Sequence, residues 1–484
     1  MLPETKVVFR TEDEKIRRVY DAAEEKCRLN LKRFGNDLVL VEGGGYEKIW
    51  LETQPMGGEM YALRNPEAAL NNCLLFMRHQ REDGRLPGSI QYKDGIVEPQ
   101  FNKYQGFCFP FPALNLYYIN GQDPDYLEQL KETLIRFDRC LWRTRHVTGD
   151  GLLSSFCVYD TGEDLAVRYG DAPCWWEEDA PPEGYRVVPM ASMDVTSWSV
   201  ASRQTLAEIC RIQGDPEAEA WQAKAQAVAA ALKKGLWDHR RGALFDRDCK
   251  GNSIDILCHN TLRCMYWGAV SQEMADRFVK EHLLNPEEFW TRLPLPSVAA
   301  NDPAFRNAPE NNWSGQPEGL TYQRAILALE RYGYDRIVTR LGEKLIDAVW
   351  GGGLRFTQQF DPFTGKPSLV HAVTHQPVKD GGEPVQDAYG PTMLACLEYI
   401  AHRYGIHPHL GQVWFSLGSG KPYEYEAVFY DHCYGIRSNG RQAEIRTDGK
   451  VTGTWDCGIR LVTDGNGNVL RTVSIESENG EDGR

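Results

Sequence analysis

Apolar residues recur at three- and four-residue spacing from about residue 14 to residue 405, and that rhythm stops after His409. Leu127, Leu130, Leu134, Phe137 and Leu141 share one helical face. So do Trp221, Ala225, Val228, Ala229 and Leu232, and Tyr322, Ile326 and Leu329 precede Gly333 as a stop. Similar patterns predict roughly eleven helices, starting near residues 14, 66, 108, 123, 194, 216, 259, 272, 316, 335 and 387. Several follow one another closely, as helical hairpins do. No sequence repeat of fixed period is visible, which excludes a solenoid of near-identical units. Periodicity alone therefore dictates a large α protein.

Beyond His409 the residue types change. Val413-Trp414-Phe415, Ala427-Val428-Phe429-Tyr430 and Arg460-Leu461-Val462-Thr463 are short β-rich runs. The turn formers Asn439-Gly440, Asp448-Gly449 and Asp464-Gly465-Asn466-Gly467 stand among them. The expected organisation is a helical domain over residues 1–409 and a small antiparallel β-rich appendage over residues 410–484.

A formal charge of −14 and a pI near 5.4 argue against nucleic acid or an anionic membrane as partner. Thirteen cysteines, an odd number without C-x-x-C spacing, fit buried free thiols in a reducing compartment. The segment from Met1 to Lys6 has no apolar signal region, and no run reaches the roughly 18 apolar residues of a membrane helix. A cytoplasmic location is the expectation. The chain has no Walker loop, no G-x-G-x-x-G after a strand, no G-x-S-x-G and no H-E-x-x-H. Its histidines do not cluster at ligand spacing, apart from His407 and His409 beside Pro408, which read as a polar loop. Neither a metal nor another cofactor is expected in the chemistry.

The chemistry is concentrated in Asp160-Thr161-Gly162-Glu163-Asp164-Leu165-Ala166-Val167-Arg168-Tyr169. This loop carries acids, a glycine permitting unusual backbone, an arginine and a flanking aromatic, and Trp175-Trp176 follows. A sugar-cleaving site needs such a loop, with an acid lifted in pKa so that it can protonate a glycosidic oxygen. Its Thr-Gly-x-Asp-x-x-x-Arg core resembles the general-acid loop of the trehalase and processing α-glucosidase clan, which includes mannosylglycerate hydrolases. The resemblance implies inverting glycosidases on an (α/α)6 barrel, with Asp164 the general acid and Arg168 a sugar-binding or acid-orienting partner.

Other segments extend the resemblance in order. Met190 to Ser197 is similar to the start of an inner helix in these enzymes, with Asp194 or Thr196 as N-cap. Leu236-Trp237-Asp238 through Asp248 resembles a Leu-Trp-Asp…Gly-x-Phe-x-Asp turn. Asn312-Trp313-Ser314-Gly315-Gln316-Pro317 resembles a loop lining the sugar pocket, and Gly381 to Asp387 resembles the Gly-Gly-Glu-Tyr-x-x-Gln segment of trehalases. The resemblance implies that Trp313 and Gln316 hold or stack on sugar.

Two departures bear on mechanism. Where the clan carries its general base, in Glu-x-Tyr-Asp-Pro-x-Thr-Gly, this chain has Gln358-Gln359-Phe360-Asp361-Pro362-Phe363-Thr364-Gly365. A neutral amide cannot take a proton from water at pH 7. Glu383 is the first substitute and Asp361 the second, with Gln358 left to bind substrate. Near the N-terminus, Thr53 to Tyr61 replaces a Trp-Asp-Ser-Tyr/Phe segment. There Glu59 is expected to hold sugar hydroxyls and Trp50 to offer a stacking face, so the substrate is a small α-glucoside or related α-linked oligosaccharide other than trehalose.

Gln358 keeps other readings open. One is an inverting phosphorylase on the same barrel, with Arg324 or Arg355 contributing to a phosphate pocket. A sugar epimerase is another, and a carbohydrate-binding protein that lost its base a third.

Overall fold

Each helix start expected from periodicity lies within three residues of a helix start in the computed structural model, which describes residues 2–378 and 384–476. Twelve α-helices are present among the described residues. The one that periodicity does not reveal is Gln54–Tyr61, which holds Pro55, Gly57 and Gly58. It is buried on nearly all sides, so it has no polar face and no amphipathic stripe. A Cβ on Gly58 would press on Ala69 and Asn72, and one on Gly57 on Leu394. Those glycines let the helix lie close against helices Pro66–Arg78 and Gly390–Tyr404.

The predicted hairpins are real packing units. Helix Met193–Gln213 runs to Gly214, whose left-handed φ of 68° ends it, and packs along Ala218–Leu236. Its N-cap is Ser192, whose hydroxyl accepts from Val195 N–H at 3.3 Å. That frees Asp194, expected to cap the helix, for another task. No helix of the described residues is long and apolar enough to cross a membrane.

The C-terminal part is antiparallel throughout. Strands Tyr423–Phe429, His432–Ser438, Gln442–Thr447 and Lys450–Asp456 form one sheet, turning at Asn439-Gly440 and Asp448-Gly449 as expected. Two strands from outside residues 410–484 join the β layer. Lys6–Thr11 pairs with Tyr423–Phe429, and Ile406–His409 edges the second sheet beside Gln412–Leu417. His407 and His409 are therefore strand residues rather than a polar loop; His407 is buried, and both stack on or against Trp414.

Arg460 locks the β layer to the helices. It donates to Asp335 at 2.7 Å and to the His402 carbonyl at 2.8 Å, and it pairs with Glu330. None of the thirteen cysteines is disulfide-bonded, and most are buried.

Candidate active site

Four carboxylates, Glu42, Glu52, Asp164 and Glu318, are gathered where the N-termini of helices Gln54–Tyr61, Gly319–Glu330 and Gly390–Tyr404 converge. Helix N-termini carry partial positive charge, which favours acids there. A cavity opens beside them, lined by Glu42, Trp50, Glu52, Lys103, Asp164 and Trp313, and also by Tyr46, Gln358 and Tyr389.

Asp164 lies on the loop that the sequence singled out, between short 3-10 turns at Val158–Asp160 and Val167–Tyr169. The loop is fastened from both directions. Asp164 C=O accepts from Trp313 N–H at 3.0 Å, while Ser314 Oγ donates to Leu165 C=O at 2.9 Å and accepts from Val167 N–H at 3.0 Å. Burial raises the Asp164 carboxyl to about 7, and the negative charge of Glu52 adds to the rise. Lys103 and a hydrogen bond from Asn311 pull the other way. Asn311 Nδ2 donates to Oδ2 at 2.8 Å, a bond that an unprotonated oxygen accepts. The acidic proton is thereby left to Oδ1, free to be donated. A carboxyl that keeps its proton near neutrality is what a general acid requires.

Arg168 lies beneath this loop rather than in the cavity. It is 3% exposed and pairs with Glu163, with Asp246 and with Asp194, the last at 3.0 Å. Arg263 joins the cluster, reaching Asp194 at 2.8 Å and Glu163 at 3.3 Å, and Asn260 donates to both acids at 2.9–3.1 Å. The task for which Asp194 is free is thus charge pairing. Glu52 sits over the same layer, paired with Arg324 and 3.6 Å from Arg263. Gly162, at φ 73°, passes directly over the Glu52 carboxylate, where a Cβ would overlap it.

That contact makes Gly162→Ala informative. The left-handed backbone alone costs about 1–2 kcal/mol with a Cβ, and the clash pushes the loop away from Glu52. A small misplacement of an acid is expensive in rate. We expect a lower melting temperature and at least a roughly tenfold fall in kcat/KM. An unchanged kcat/KM would show that the height of this loop over Glu52 does not matter.

Of the other residues expected in the site, Trp50, Trp313 and Gln358 line the cavity. The Trp50 ring is flanked by two ammonium groups, Lys48 Nζ at 5.3 Å and Lys103 Nζ at 5.5 Å from its centroid. Gln358 Oε1 accepts from Tyr46 O–H at 3.0 Å. Gln316 is not brought to the cavity; it is buried behind it, donating to Asn307 and accepting from Ser368. Glu59 is not brought there either. It lies at the C-terminal end of helix Gln54–Tyr61, in a separate crevice with Asn115, His402 and His407. Asp361 stays out as well, tied up in its own turn with Phe363 and Thr364 and hydrogen-bonded by Asn307. Glu383 lies outside the described residues. Arg324 is committed to Glu52, and Arg355 does not line the cavity. Among the described residues no group of three or more metal-ligating side chains is arranged to hold a metal ion.

Sequence reasoning missed Glu42, Tyr46, Glu52, Lys103, Asn311 and Glu318. Glu52 had a signal, an acid two residues after Trp50 at the opening of a helix. Asn311 adjoins the Asn312-Trp313 segment. Glu42 had only the Gly43-Gly44-Gly45 run after it, whose φ angles of 77°, 63° and 97° allow a close strap against residues 388–390 and Ala372.

Comparison with known proteins gives a consistent result. Residues 59–376 match the model of a family described as the mannosylglycerate hydrolase MGH1-like glycoside hydrolase domain. A mannosylglycerate hydrolase of Rubrobacter radiotolerans is 29% identical over 182 residues, which is 37% of this chain and 40% of that protein. The aligned stretch is thus less than half of the curated relative. Among solved structures, the GH63 mannosylglycerate hydrolase of Thermus thermophilus in complex with glucose superposes with a TM-score of 0.61 at 17% identity. The match covers 80% of this chain and 100% of that one. Neutral trehalase of Saccharomyces cerevisiae gives 0.55 at 13% identity, covering 78% and 80%. Both share the fold.

Proposed function

The chain belongs to the MGH1-like glycoside hydrolase family, and from that we propose that it hydrolyses a small α-linked glycoside with inversion, on an (α/α)6 barrel, with Asp164 as general acid. One observation carries this reading: a half-buried carboxyl lifted to about 7, in a tryptophan-lined cavity with two further acids. Trp50 and Trp313 offer ring faces, and Glu52, held by two arginines, offers a fixed acceptor for sugar hydroxyls. Relatives named mannosylglycerate hydrolase make an α-mannoside of glycerate the first substrate to try. Lys48 and Lys103, beside Trp50, would face the carboxylate of such a leaving group.

The test is proton NMR of the product anomer, with α-mannosylglycerate and a panel of α-linked disaccharides, with and without phosphate. β-Anomer appearing first without phosphate is the expected result. Turnover only with phosphate would make the enzyme a phosphorylase, and binding without turnover would make it a lectin-like protein.

The pH dependence follows from the acid. Asp164 must be protonated, so its ionisation above about 7 sets the alkaline side of the kcat/KM profile. Rates measured from pH 5 to 9 should show that alkaline limb. A profile flat to pH 9 would exclude Asp164 as the proton donor.

A further inference from the structure

We propose that Glu42 is the general base, taking the proton from the attacking water in place of the absent carboxylate at position 358; this rests on Asp164 being the acid. The place expected to hold the base carries Gln358, and its carbonyl oxygen is already occupied by the Tyr46 hydroxyl. A carboxylate must therefore come from another strand or loop. Among the described residues three acids line the cavity and a fourth, Glu318, lies behind it, and the geometry separates their roles. Asp164 is the donor. Glu52 spends its charge on Arg324 and Arg263. Glu318 is sealed: both of its oxygens are buried without a hydrogen-bond partner, and the side chain does not reach the cavity wall.

Glu42 is the remaining acid, and it is built to hold one orientation. Its backbone is fixed by Glu42 N–H to Lys48 C=O at 3.2 Å and by Gly390 N–H to Glu42 C=O at 2.7 Å. Tyr389 O–H donates to Oε1 at 2.9 Å. One carboxylate oxygen is thereby pinned, the Trp50 indole N–H lies near enough to favour the ionised form, and the side chain lines the same cavity as Asp164. Burial, with the charges of Glu52 and Asp164 nearby, raises Glu42 to about 8. Only its ionised form can take the proton from water, so kcat/KM should also fall as pH drops below about 8, and with Asp164 the profile is a bell peaking between about 7 and 8.

The step balances without a further reactant. Water oxygen bonds to the anomeric carbon from the face opposite the leaving group, and one of its protons passes to Glu42 Oε2. The bond from that carbon to the glycosidic oxygen breaks, its electron pair staying on the oxygen, which takes the Asp164 proton. The products are a hemiacetal of inverted configuration and a free hydroxyl.

α-Glycosyl fluorides isolate the base, because fluoride departs without being protonated by an acid. The experiment uses α-mannosyl and α-glucosyl fluoride with the full-length wild type, Asp164→Asn, Glu42→Gln and Glu42→Ala, each checked for its melting transition. We expect Asp164→Asn to release fluoride within about tenfold of wild type and Glu42→Gln to lose roughly 10²–10⁴-fold. Sodium azide added to Glu42→Ala should restore turnover and give the β-glycosyl azide, since the small anion enters the space of the lost carboxylate and attacks unaided. Glu42→Asp, which keeps charge but shortens reach, covers the case in which Glu42→Gln fails to fold; it should fold and be slowed. Wild-type fluoride release that Glu42→Gln or Glu42→Asp retains in full would overturn the assignment of the base alone. Loss in Glu318→Gln or Glu383→Gln in its place would do the same. No release by wild type from either fluoride would overturn the hydrolase reading and take the base with it.

Discussion

Asp164→Asn is expected to lower kcat/KM for unactivated glycosides by roughly 10²–10⁴, the usual contribution of a positioned general acid. The substitution is nearly isosteric, and the new amide can still accept from Asn311 N–H through its carbonyl oxygen, as Asp164 does now. Nothing in the loop's fastening depends on the carboxyl itself, because the anchors are the Asp164 carbonyl, the Leu165 carbonyl and the Val167 N–H. Melting should therefore stay close to wild type while turnover collapses. Aryl glycosides with acidic leaving groups should be affected least, since they need little protonation as they leave. Steady-state rates on one poor and one good leaving group decide the matter. Equal losses on both would mean that the side chain positions sugar rather than protonating it.

Why Asp164 was legible from sequence while its partners were not follows from how each is placed. The acid sits in one contiguous loop whose glycine, acids and arginine fall within ten residues, so local sequence holds the signal. The helices Pro124–Arg145 and Asp335–Gly351 were legible because one face is buried and one solvated. Helix Gln54–Tyr61 was not, because burial on all sides erases the period. That omission had a consequence for the site. Without the helix, Glu59 and Glu52 look like equal neighbours of Trp50, whereas Glu52 precedes the helix start at Gln54 and Glu59 lies in its last turn. Glu52 enters the cavity and Glu59 goes to the far end. Glu42, Lys103 and Glu318 come from segments hundreds of residues apart in part, and only tertiary packing brings them together. Arg168 was recognised as a sugar-binding or acid-orienting partner, and both were left open because spacing cannot tell an arginine facing a cavity from one paired under it.

Arg168→Met is expected to cost about 3–5 kcal/mol of folding stability, the range for removing one partner from a buried ion cluster. Methionine approximates the length of the aliphatic stem, so the loss is mainly one of charge. Three carboxylates depend on this guanidinium: Glu163, Asp194 and Asp246. Arg263 can still serve Glu163 and Asp194, but Asp246 would keep only the Met193 N–H at 2.7 Å. Burial already raises Asp246 to about 6 against the pull of Arg168. Without that pull its folded pKa rises further above the unfolded value. A carboxyl so raised favours the folded state at low pH and loses that contribution as pH climbs through the folded pKa. The deficit of the variant should therefore be larger at pH 8 than at pH 5. Because the same loop carries Asp164, activity should disappear before global unfolding as temperature rises. Denaturant unfolding of both proteins at the two pH values measures the effect. A deficit under about 1 kcal/mol, the level of an exposed ion pair, or one independent of pH would show that Arg263 alone neutralises the cluster.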